Sequence, residues 1–462
     1  MDQQPRERLG SRLGFLLLSA GCAIGVGNVW KFPTITGQNG GGFFVLFYFL
    51  FLIILGIPVL TMEFSLGRAA QKSPVRLYHE LTPKGSPFRA HGYLAFLGNI
   101  ILMMFYTPVS AWMVIYFFYM VFGKFSALSE PAAITGVFGE MVSNHWLLIG
   151  VCIALIAISF FLLTFSLQNG LEKVTKVMMI ALLFVMIFLA INSFTMDGAK
   201  EGLAFYLLPS VDRLLDPAHN GIIGVLTAAM NQAFFTLSLG IGSMAIFGSF
   251  IGKDRALLGE SVRVTAIDTF VAVTAGLIIF PACFTYDVPV AAGPSLIFEA
   301  LPLVFHNMWG GRVFGSLFFL FMSFAALSTL FAVFQNILSC TQELFGWSKR
   351  RAALVDGLVM CVLILPCIFG FGIWSDLVSL GGLTSVLDLE DYLVSNILLP
   401  SGALTFVLFC SHRFGWGYDK FMEEANTGKG LKVTKWMRPY MAYVLPIIVG
   451  VILVLGIVTP FI

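Results

Sequence analysis

Residues 21–33 read GCAIGVGNVWKFP and place three glycines in the middle of an apolar segment of membrane length. A second apolar segment is broken in the same way at residues 232–242, which read QAFFTLSLGIG. A helix that is interrupted in hydrocarbon leaves peptide groups without partners, so a break persists only where it is buried or lines a cavity. One such segment alone is equally well explained as a kink or a close-packing site in an ordinary bundle. Two breaks in corresponding halves are typical of a transporter that binds its ligand and ions at mid-membrane.

The composition is that of a helical membrane protein. Of the 462 residues, 58% are hydrophobic and 11% charged, and the mean hydropathy is +0.90, a balance that soluble domains do not need. We therefore predict an all-α polytopic membrane protein with eleven transmembrane helices. The predicted spans are about 12–37, 41–66, 91–123, 146–166, 174–194, 221–251, 259–285, 310–343, 350–371, 380–411 and 436–461.

The distribution of basic residues predicts the orientation. With the N-terminus in the cytoplasm, 22 of the 27 lysines and arginines lie on cytoplasmic segments, as the positive-inside rule requires. Eleven spans then place the C-terminus outside. The first apolar run follows Arg6, Arg8 and Arg12 and reaches no cleavage site, so it is interpreted as a first span and not as a signal peptide. The basic residues are spread over six separate segments, which fits neither a nucleic-acid patch nor an anionic-lipid patch. The lipid bilayer is the partner expected from the apolar spans.

Cysteine usage and glycosylation signals bear on the compartment. All seven cysteines lie in or beside apolar spans, and no Asn-x-Ser/Thr sequon occurs. Both observations favour a bacterial inner membrane over a eukaryotic cell surface. No obligatory protein partner is evident in the sequence.

A set of motifs resembles those of one family. They are RLGF (12–15), GVGNVWKFP (25–33), NGGG (39–42), EFSLGR (63–68), QAFFTLS (232–238), GPSLIF (293–298) and DYLVSN (391–396). By these motifs nearly the whole chain resembles the bacterial amino-acid transporters of the neurotransmitter:sodium symporter family. The resemblance implies one membrane transport domain over 1–462, with two inverted five-helix repeats, discontinuous helices 1 and 6, and an extra helix. The repeats would cover about 12–194 and 221–411, and the extra helix about 436–461.

The implied activity is sodium-coupled symport of neutral, hydrophobic α-amino acids into the cell by alternating access, not enzymatic chemistry. A zwitterionic substrate in a dry site needs donors for its carboxylate, which the N–H groups of Val26 and Gly27 can supply at the start of a half-helix. The resemblance adds the hydroxyl of Tyr106. The predicted acceptors for the amine are the carbonyls of Ala23, Phe235 and Thr236, with the hydroxyl of Ser238.

The side-chain pocket is also implied by the resemblance. Its predicted lining is Cys22, Leu102, Val109, Phe235, Ser238, Ile241 and Val333. Cys22 stands where monoamine carriers place an aspartate, so an α-carboxylate is expected on the substrate. The apolar wall favours leucine, isoleucine, valine or methionine. Aromatic amino acids are an alternative class of substrate, because Ile241 is smaller than the phenylalanine of some relatives.

Two sodium sites follow from the resemblance, since hard cations take oxygen ligands. The first uses Ala23, Asn28, Thr236, Asp268 and the substrate carboxylate. The second uses the carbonyls of Gly21, Ile24 and Ala325 and the hydroxyls of Ser328 and Thr329. An alternative for the two hydroxyls is hydrogen bonding to the preceding turn of their own helix.

Intramembrane acids are functional candidates by default. Glu63 matches a family glutamate that supports the break in helix 6, so its expected role is structural. Asp268 and Ala272 stand where many relatives have an asparagine and, one turn later, a serine or glutamate. A carboxylate at 268 would supply the negative charge that chloride supplies elsewhere, so we expect transport not to require chloride.

The resemblance also implies gates. Phe235 over Tyr106 would form a lid, and Lys31 with Asp391 an outer charged pair. Arg6 and Glu343 would form the inner pair. Each gate charge could instead be a solvated rim residue.

Other classes fit less well. The six histidines show no HExxH or paired spacing, and no repeated filter or ring of like charges indicates a channel. The sequence does not distinguish a transporter from a sensor that binds the same ligand without net transport. In helix 3, Pro108 is expected to cause a kink beside the pocket. In helix 5, Ile180 replaces a proline that often helps that helix to unwind in relatives.

Overall fold

The computed structural model describes residues 7–219, 221–290, 295–378 and 383–458. Apart from an isolated bridge between Arg255 and Lys429, the regular structure in these ranges is helical. Nine of the helices there are long and apolar enough to cross a membrane, and a bent pair adds a tenth span. The predicted all-α polytopic membrane fold is confirmed.

In chain order the helices are α1 (Arg12–Ala23), α2 (Gly27–Gln38), α3 (Gly42–Ala70), α4 (Pro74–Leu81), α5 (Arg89–Val121), α6 (Pro131–Ser143), α7 (His145–Leu163), α8 (Gln168–Ser193), α9 (Ala199–Leu207), α10 (Val211–Leu215), α11 (Gly221–Thr236), α12 (Ser243–Gly248), α13 (Leu257–Thr285), α14 (Leu296–Asn307), α15 (Gly311–Phe345), α16 (Lys349–Phe369), α17 (Val386–Ser411), α18 (Tyr418–Ala425) and α19 (Met437–Val458).

The first break divides the first span into α1 and α2, whose axes differ by 55°. Gly25 lies in the break and in close contact with two other helices. A Cβ at this position would lie 2.2 Å from the hydroxyl oxygen of Tyr106 on α5 and 2.5 Å from Oγ1 of Thr329 on α15. Only glycine lets the backbone come so near to both side chains.

The second break divides the segment predicted over 221–251. The resulting α11 has 16 residues and α12 has 6, so neither half crosses a bilayer alone. Between them Ser238, Gly240 and Gly242 adopt φ values of +50°, +101° and +71°. A helix cannot continue through such values. The number of spans reaches the predicted eleven only if this interrupted segment is counted, so that number stays a prediction.

The two long helices at the centre pack the core. α5 and α15 have 33 and 35 residues and contact each other along their length. Peripheral helices instead expose apolar side chains, such as Phe161 on α7, Phe184 on α8 and Ile447 on α19, each about two-thirds exposed or more. Apolar side chains that face outward on membrane-length helices are suited to lipid.

Two local expectations concerned Pro108 in the third predicted span and Ile180 in the fifth. The third span is α5, which continues as a helix through Pro108. The fifth predicted span is α8, which is helical throughout and begins with a wide π-type turn over Gln168–Glu172. In this structure helix 5 is therefore not unwound around Ile180.

Candidate functional site

The first break places donors and acceptors in the centre of the molecule. The N–H of Val26 donates to the Tyr106 hydroxyl over 3.0 Å, and the N–H of Gly25 donates to Oδ1 of Asn28 over 3.2 Å. The phenyl ring of Phe235 packs against Gly27, where an added Cβ would lie 2.9 Å from the ring. The two breaks therefore face each other across a short gap.

The second break is held by side chains from α3 and α5. Oε1 of Glu63 accepts from the N–H of Gly240 over 2.5 Å. Nδ2 of Asn99 donates to the carbonyl of Ile241 over 2.7 Å, and its Oδ1 accepts from the Ser243 hydroxyl over 2.9 Å. Peptide groups that a helix would normally pair are thus paired with side chains. The sequence analysis missed Asn99, although a lone amide within a span is a recognisable signal.

A small cavity of about 20 Å³ lies between the breaks. Of the predicted substrate-binding residues, it is lined by Ala23, Gly27, Leu102, Tyr106, Phe235, Ser238 and Ile241, and in addition by Gly25, Thr329 and Leu399. A volume of this size holds about one water molecule. The site is therefore closed around its centre.

The other predicted pocket residues lie outside this cavity. Val26 and Val109 line a neighbouring cavity, and Thr236 points to Asp268. Val333 is buried one turn beyond Thr329 on α15 and is not among the residues that line the cavity. Cys22 is buried as well and meets the site through its backbone carbonyl, which accepts from Thr329 and Ser238. The side chains of Cys22 and Val333 therefore do not form the cavity wall in this structure.

A larger cavity of about 320 Å³ adjoins the small one, and Phe235 and Tyr106 border both. At its rim Nζ of Lys31 lies 2.8 Å from Oδ2 of Asp391 and 3.1 Å from the Ser395 hydroxyl. The same Nζ lies 3.9 Å from the centroid of the Phe235 ring. One cation thus contacts both the aromatic side chain between the cavities and an acid on α17.

The first predicted oxygen set surrounds a fully buried carboxylate. Oδ1 of Asp268 accepts from Nδ2 of Asn28 over 2.8 Å, and Oδ2 accepts from the Thr236 hydroxyl over 3.1 Å. The hydroxyl of Tyr48 on α3, which the sequence analysis did not identify, lies 3.5 Å from the Thr236 hydroxyl. Among the described residues these partners are all neutral. A buried carboxylate with neutral partners is costly, and a bound cation would relieve that cost.

The second predicted oxygen set joins α15 to the end of α1. Oγ1 of Thr329 lies 3.2 Å from the carbonyl oxygens of Gly21, Cys22 and Ile24. One hydroxyl hydrogen serves one of three carbonyls well, so the other two stay electron-rich. Oxygens about 2.4 Å from a shared hard cation and at right angles lie about 3.4 Å apart. The observed spacing is close to that value.

The hydroxyl of Ser328 contacts both the preceding turn of its own helix and the end of α1. Its Oγ lies 2.9 Å from the carbonyl of Ala325 on its own helix and 3.3 Å from the carbonyl of Ile24 on α1. Hydrogen bonding to the preceding turn therefore exists, and it coexists with a contact to the break. The carbonyl of Cys22 joins this set although the sequence analysis had left it out.

The inner pair is only half described. Arg6 lies outside the described residues, as do Gly293 and Pro294 of the motif at 293–298. Glu343 accepts from the N–H and the hydroxyl of Ser73 over 2.9 and 2.7 Å. It therefore ties α15 to the residue that precedes α4.

Comparison with known proteins gives concordant results. The model of the sodium:neurotransmitter symporter family matches residues 6–127 and 134–461. An uncharacterized sodium-dependent transporter of Bacillus subtilis is 32% identical over 409 residues, which is 88% of each chain. One from Haemophilus influenzae is 28% identical over 98% of each chain. The crystal structure of MhsT in complex with L-phenylalanine aligns with a TM-score of 0.87 and 33% identity, over 98% of this chain and 100% of that one.

Proposed function

The chain belongs to the sodium:neurotransmitter symporter family, a family of secondary transporters and not of enzymes, and we propose that it carries a neutral, hydrophobic α-amino acid into the cell together with sodium. The observation that carries the proposal is the buried carboxylate of Asp268, whose partners among the described residues are neutral. It lies beside a closed cavity between two broken helices. A bound cation would supply the counter-charge for this carboxylate. The N–H donors and carbonyl acceptors at the breaks suit the two charged groups of a zwitterion.

The substrate carboxylate is placed at the first break in this proposal. The N–H of Val26 and the hydroxyl of Tyr106, now 3.0 Å apart, would both turn to it. The positive end of the α2 dipole favours an anion there. The same carboxylate completes the first sodium site, whose other ligands are Ala23, Asn28, Thr236 and Asp268. Because ligand and ion share an atom, each raises the affinity of the other by the same factor.

The second sodium would lie between α1 and α15, among the hydroxyls of Thr329 and Ser328 and the carbonyls of Gly21, Cys22, Ile24 and Ala325. Binding there joins the first half of the broken span to α15 and holds that half in place. Release would free α1 to move. This gives the coupling ion a mechanical role without a contact to the substrate.

Alternating access then depends on what closes each side. Phe235 lies between the two cavities and is held by Lys31, which is itself paired with Asp391. Opening of that contact would admit substrate from the larger cavity. The positive-inside orientation makes this the external side and places the bacterial cytoplasm at the other end.

The preferred substrates are expected to be apolar amino acids, because Leu102, Ile241 and Leu399 supply much of the cavity wall. The cavity of about 20 Å³ must expand to take any of them. Aromatic side chains belong in the panel since MhsT was solved with L-phenylalanine. One methylene is worth about 1–3 kcal/mol, so discrimination among apolar substrates should be modest.

The test is uptake of labelled amino acids into proteoliposomes. We expect accumulation that requires inward-directed sodium and collapses when sodium is equal on both sides. Leucine, isoleucine, valine, methionine and phenylalanine should compete, and lysine and glutamate should not. Equal accumulation with choline in place of sodium would refute the sodium coupling. Sodium-dependent binding without uptake would indicate a sensor.

A further inference from the structure

An apolar groove lies between α7 and α16 and shares no lining residue with the two cavities of the site. Its volume is about 420 Å³, within the range of about 300–1,000 Å³ that ligand sites occupy. Phe161, Leu354 and Leu358 belong to its lining and are 61% to 67% exposed. The groove therefore opens to the outer surface of the helix bundle, where a membrane protein meets lipid.

The groove is about as long as one leaflet of a bilayer is thick. It runs from Ile153 to Thr164 on α7 and from Arg350 to Cys361 on α16. About eleven residue steps cover about 16 Å along each helix, and half of the hydrocarbon core of a bilayer measures about 15 Å. An acyl chain of a single leaflet therefore matches the groove in length.

Gly357 keeps the middle of the groove open. A Cβ at this position would lie 3.4 Å from Cδ2 of Phe160 and 3.9 Å from Cγ2 of Ile156. The backbone of α16 is thus already close to the side chains of α7. Because Gly357 belongs to the lining, the further atoms of a larger side chain would occupy the groove itself.

The polar residues of the lining lie together at one end. They are Thr164, directly after α7, and Arg350, in the first turn of α16. Nζ of Lys349 donates to the carbonyl of Phe165 over 2.6 Å, which brings the end of α7 beside the start of α16. In the orientation predicted from the basic residues, this end faces the cytoplasm. The groove thus has a polar end at the headgroup level and an apolar length below it.

Three consecutive basic residues begin α16, and the middle one has no partner among the described residues. Lys349 lies 3.5 Å from Oε1 of Glu7, and Cζ of Arg351 lies 4.6 Å from the centroid of the Trp347 ring. Arg350 makes no hydrogen bond, ion pair or ring contact there. The N-terminus of α16 adds the positive end of a helix dipole. Charge complementarity therefore favours an anionic ligand at this end of the groove.

We propose that the groove between α7 and α16 binds one acyl chain of an anionic phospholipid of the cytoplasmic leaflet, whose phosphate is bound by Arg350. A guanidinium matches phosphate through two parallel N–H···O bonds. A second copy of the chain is a poorer occupant, because a symmetric contact through this face would bring two sets of the same basic residues together. The site needs neither substrate nor sodium, so it goes beyond the proposed transport function.

The test is native mass spectrometry of the purified full chain in detergent with added dioleoyl lipids. Phosphatidylglycerol should bind about fivefold more tightly than phosphatidylcholine with the same chains, as one basic residue near an anionic headgroup contributes. Arg350→Gln should remove that preference. The matched control is Arg351→Gln, which loses the same charge from the neighbouring residue. It should stay within about twofold of the wild type, because Arg351 does not line the groove.

The acyl-chain part of the site has a matched pair of its own. Gly357→Leu fills the groove and should weaken the binding of both lipids about fivefold or more, because apolar contact with the chain is lost. Gly450→Leu makes the same change on α19, where an added Cβ has no atom within 4 Å, and should alter neither affinity. Arg350 and Arg351 are exposed, so their variants decide the outcome even if Gly357→Leu does not fold.

Several results would overturn the proposal. Equal losses in the two arginine variants would indicate a general attraction of the basic surface. Unchanged lipid binding by a folded Gly357→Leu variant would exclude the groove, and equal affinity for soluble glycerophosphoglycerol would exclude a role of the chain. Lipid-free dimers that Gly357→Leu dissociates would show that a second copy covers the groove. None of these measurements depends on uptake, so failure of the transport proposal would leave the lipid site to be decided separately.

Discussion

At the scale of single residues, Asp268 decides the electrostatics of the site. Its carboxylate is fully buried, and its side-chain hydrogen-bond partners among the described residues are Asn28 and Thr236. Two sodium ions and a zwitterion would otherwise leave uncompensated positive charge in a medium of low dielectric. The fixed carboxylate supplies one negative charge at the place where it is needed, so an external anion becomes unnecessary.

Chloride independence is the prediction that follows. Replacing chloride by gluconate should leave uptake by the wild type unchanged. Asp268→Asn combined with Ala272→Ser removes the charge and adds a hydroxyl one turn along α13, where Ala272 is buried. We expect at least a tenfold loss of uptake, since one missing buried charge contact is worth about 1.5–3 kcal/mol, and chloride sensitivity of the remainder.

The control for this experiment is Asp356→Asn on α16. Asp356 is also a buried acid, but it accepts from Thr341 and takes no part in the site. This variant should stay indifferent to chloride. A wild-type protein that loses uptake in gluconate would contradict the charge argument.

Sequence reasoning reached some of these residues and not others for a physical reason. Asn28, Asp268 and Glu63 lie in motifs or are acids in an apolar span, so they are visible along the chain. Asn99 binds a backbone carbonyl, and Asn99 and its partner Ile241 are 142 positions apart. A backbone partner has no sequence signature. Such contacts appear only once the helices are placed in space.

At the scale of elements, the contact between α1 and α15 shows how a broken helix becomes an ion site. The last turn of α1 has no following turn to take up its carbonyls, so they turn to Thr329 and Ser328. Glycine spacing predicted the break but not its angle of 55°. The angle depends on the packing of Gly25 between α5 and α15, which is tertiary information.

Thr329→Val tests the ion site with almost no change of volume. It removes the oxygen that lies 3.2 Å from three carbonyls. We expect the sodium concentration for half-maximal uptake to rise about tenfold, as for loss of a cation ligand worth roughly 1.5 kcal/mol. Substrate affinity at saturating sodium should change little.

Ser323→Ala on the same helix is the matched control. Among the described residues, the hydroxyl of Ser323 has the carbonyl of Phe319, one turn back, as its sole hydrogen-bond partner, and Ser323 is buried. The sodium dependence of this variant should equal that of the wild type. If Thr329→Val behaves like Ser323→Ala, the threonine merely bonds backbone and the second sodium site is wrong.

At the scale of the whole molecule, two separate contacts hold the broken first span, one at each of its ends. At one end Lys31 pairs with Asp391 across the larger cavity. At the other, Oε2 of Glu172 on α8 accepts from the N–H of Gly10 over 2.8 Å, and its Oε1 from the Ser11 hydroxyl over 3.0 Å. Glu172 thus anchors the segment that leads into α1. The family resemblance predicted the first pair, while Glu172 emerged only from the packing of α8 against residues 7–14.

Weakening the Lys31 contact and weakening the Glu172 contact should therefore change the accessibility of the larger cavity in opposite directions. Val109 lines the larger cavity, so a cysteine in its place reports whether that cavity is open to a membrane-impermeant thiol reagent. Lys31→Gln should speed labelling of Val109→Cys about two- to fivefold, because partly exposed ion pairs contribute about 0.2–1 kcal/mol. Glu172→Gln weakens hydrogen bonds to a charged acceptor and should slow the labelling at least as much. The native cysteines give little background, since six are buried and Cys361 is half-buried. Glu140→Gln removes the exposed, 3.7 Å pair with Lys124 and should change nothing, because neither residue lines the two cavities. Shifts in the same direction from Lys31→Gln and Glu172→Gln would show that the two contacts do not close opposite sides of one site.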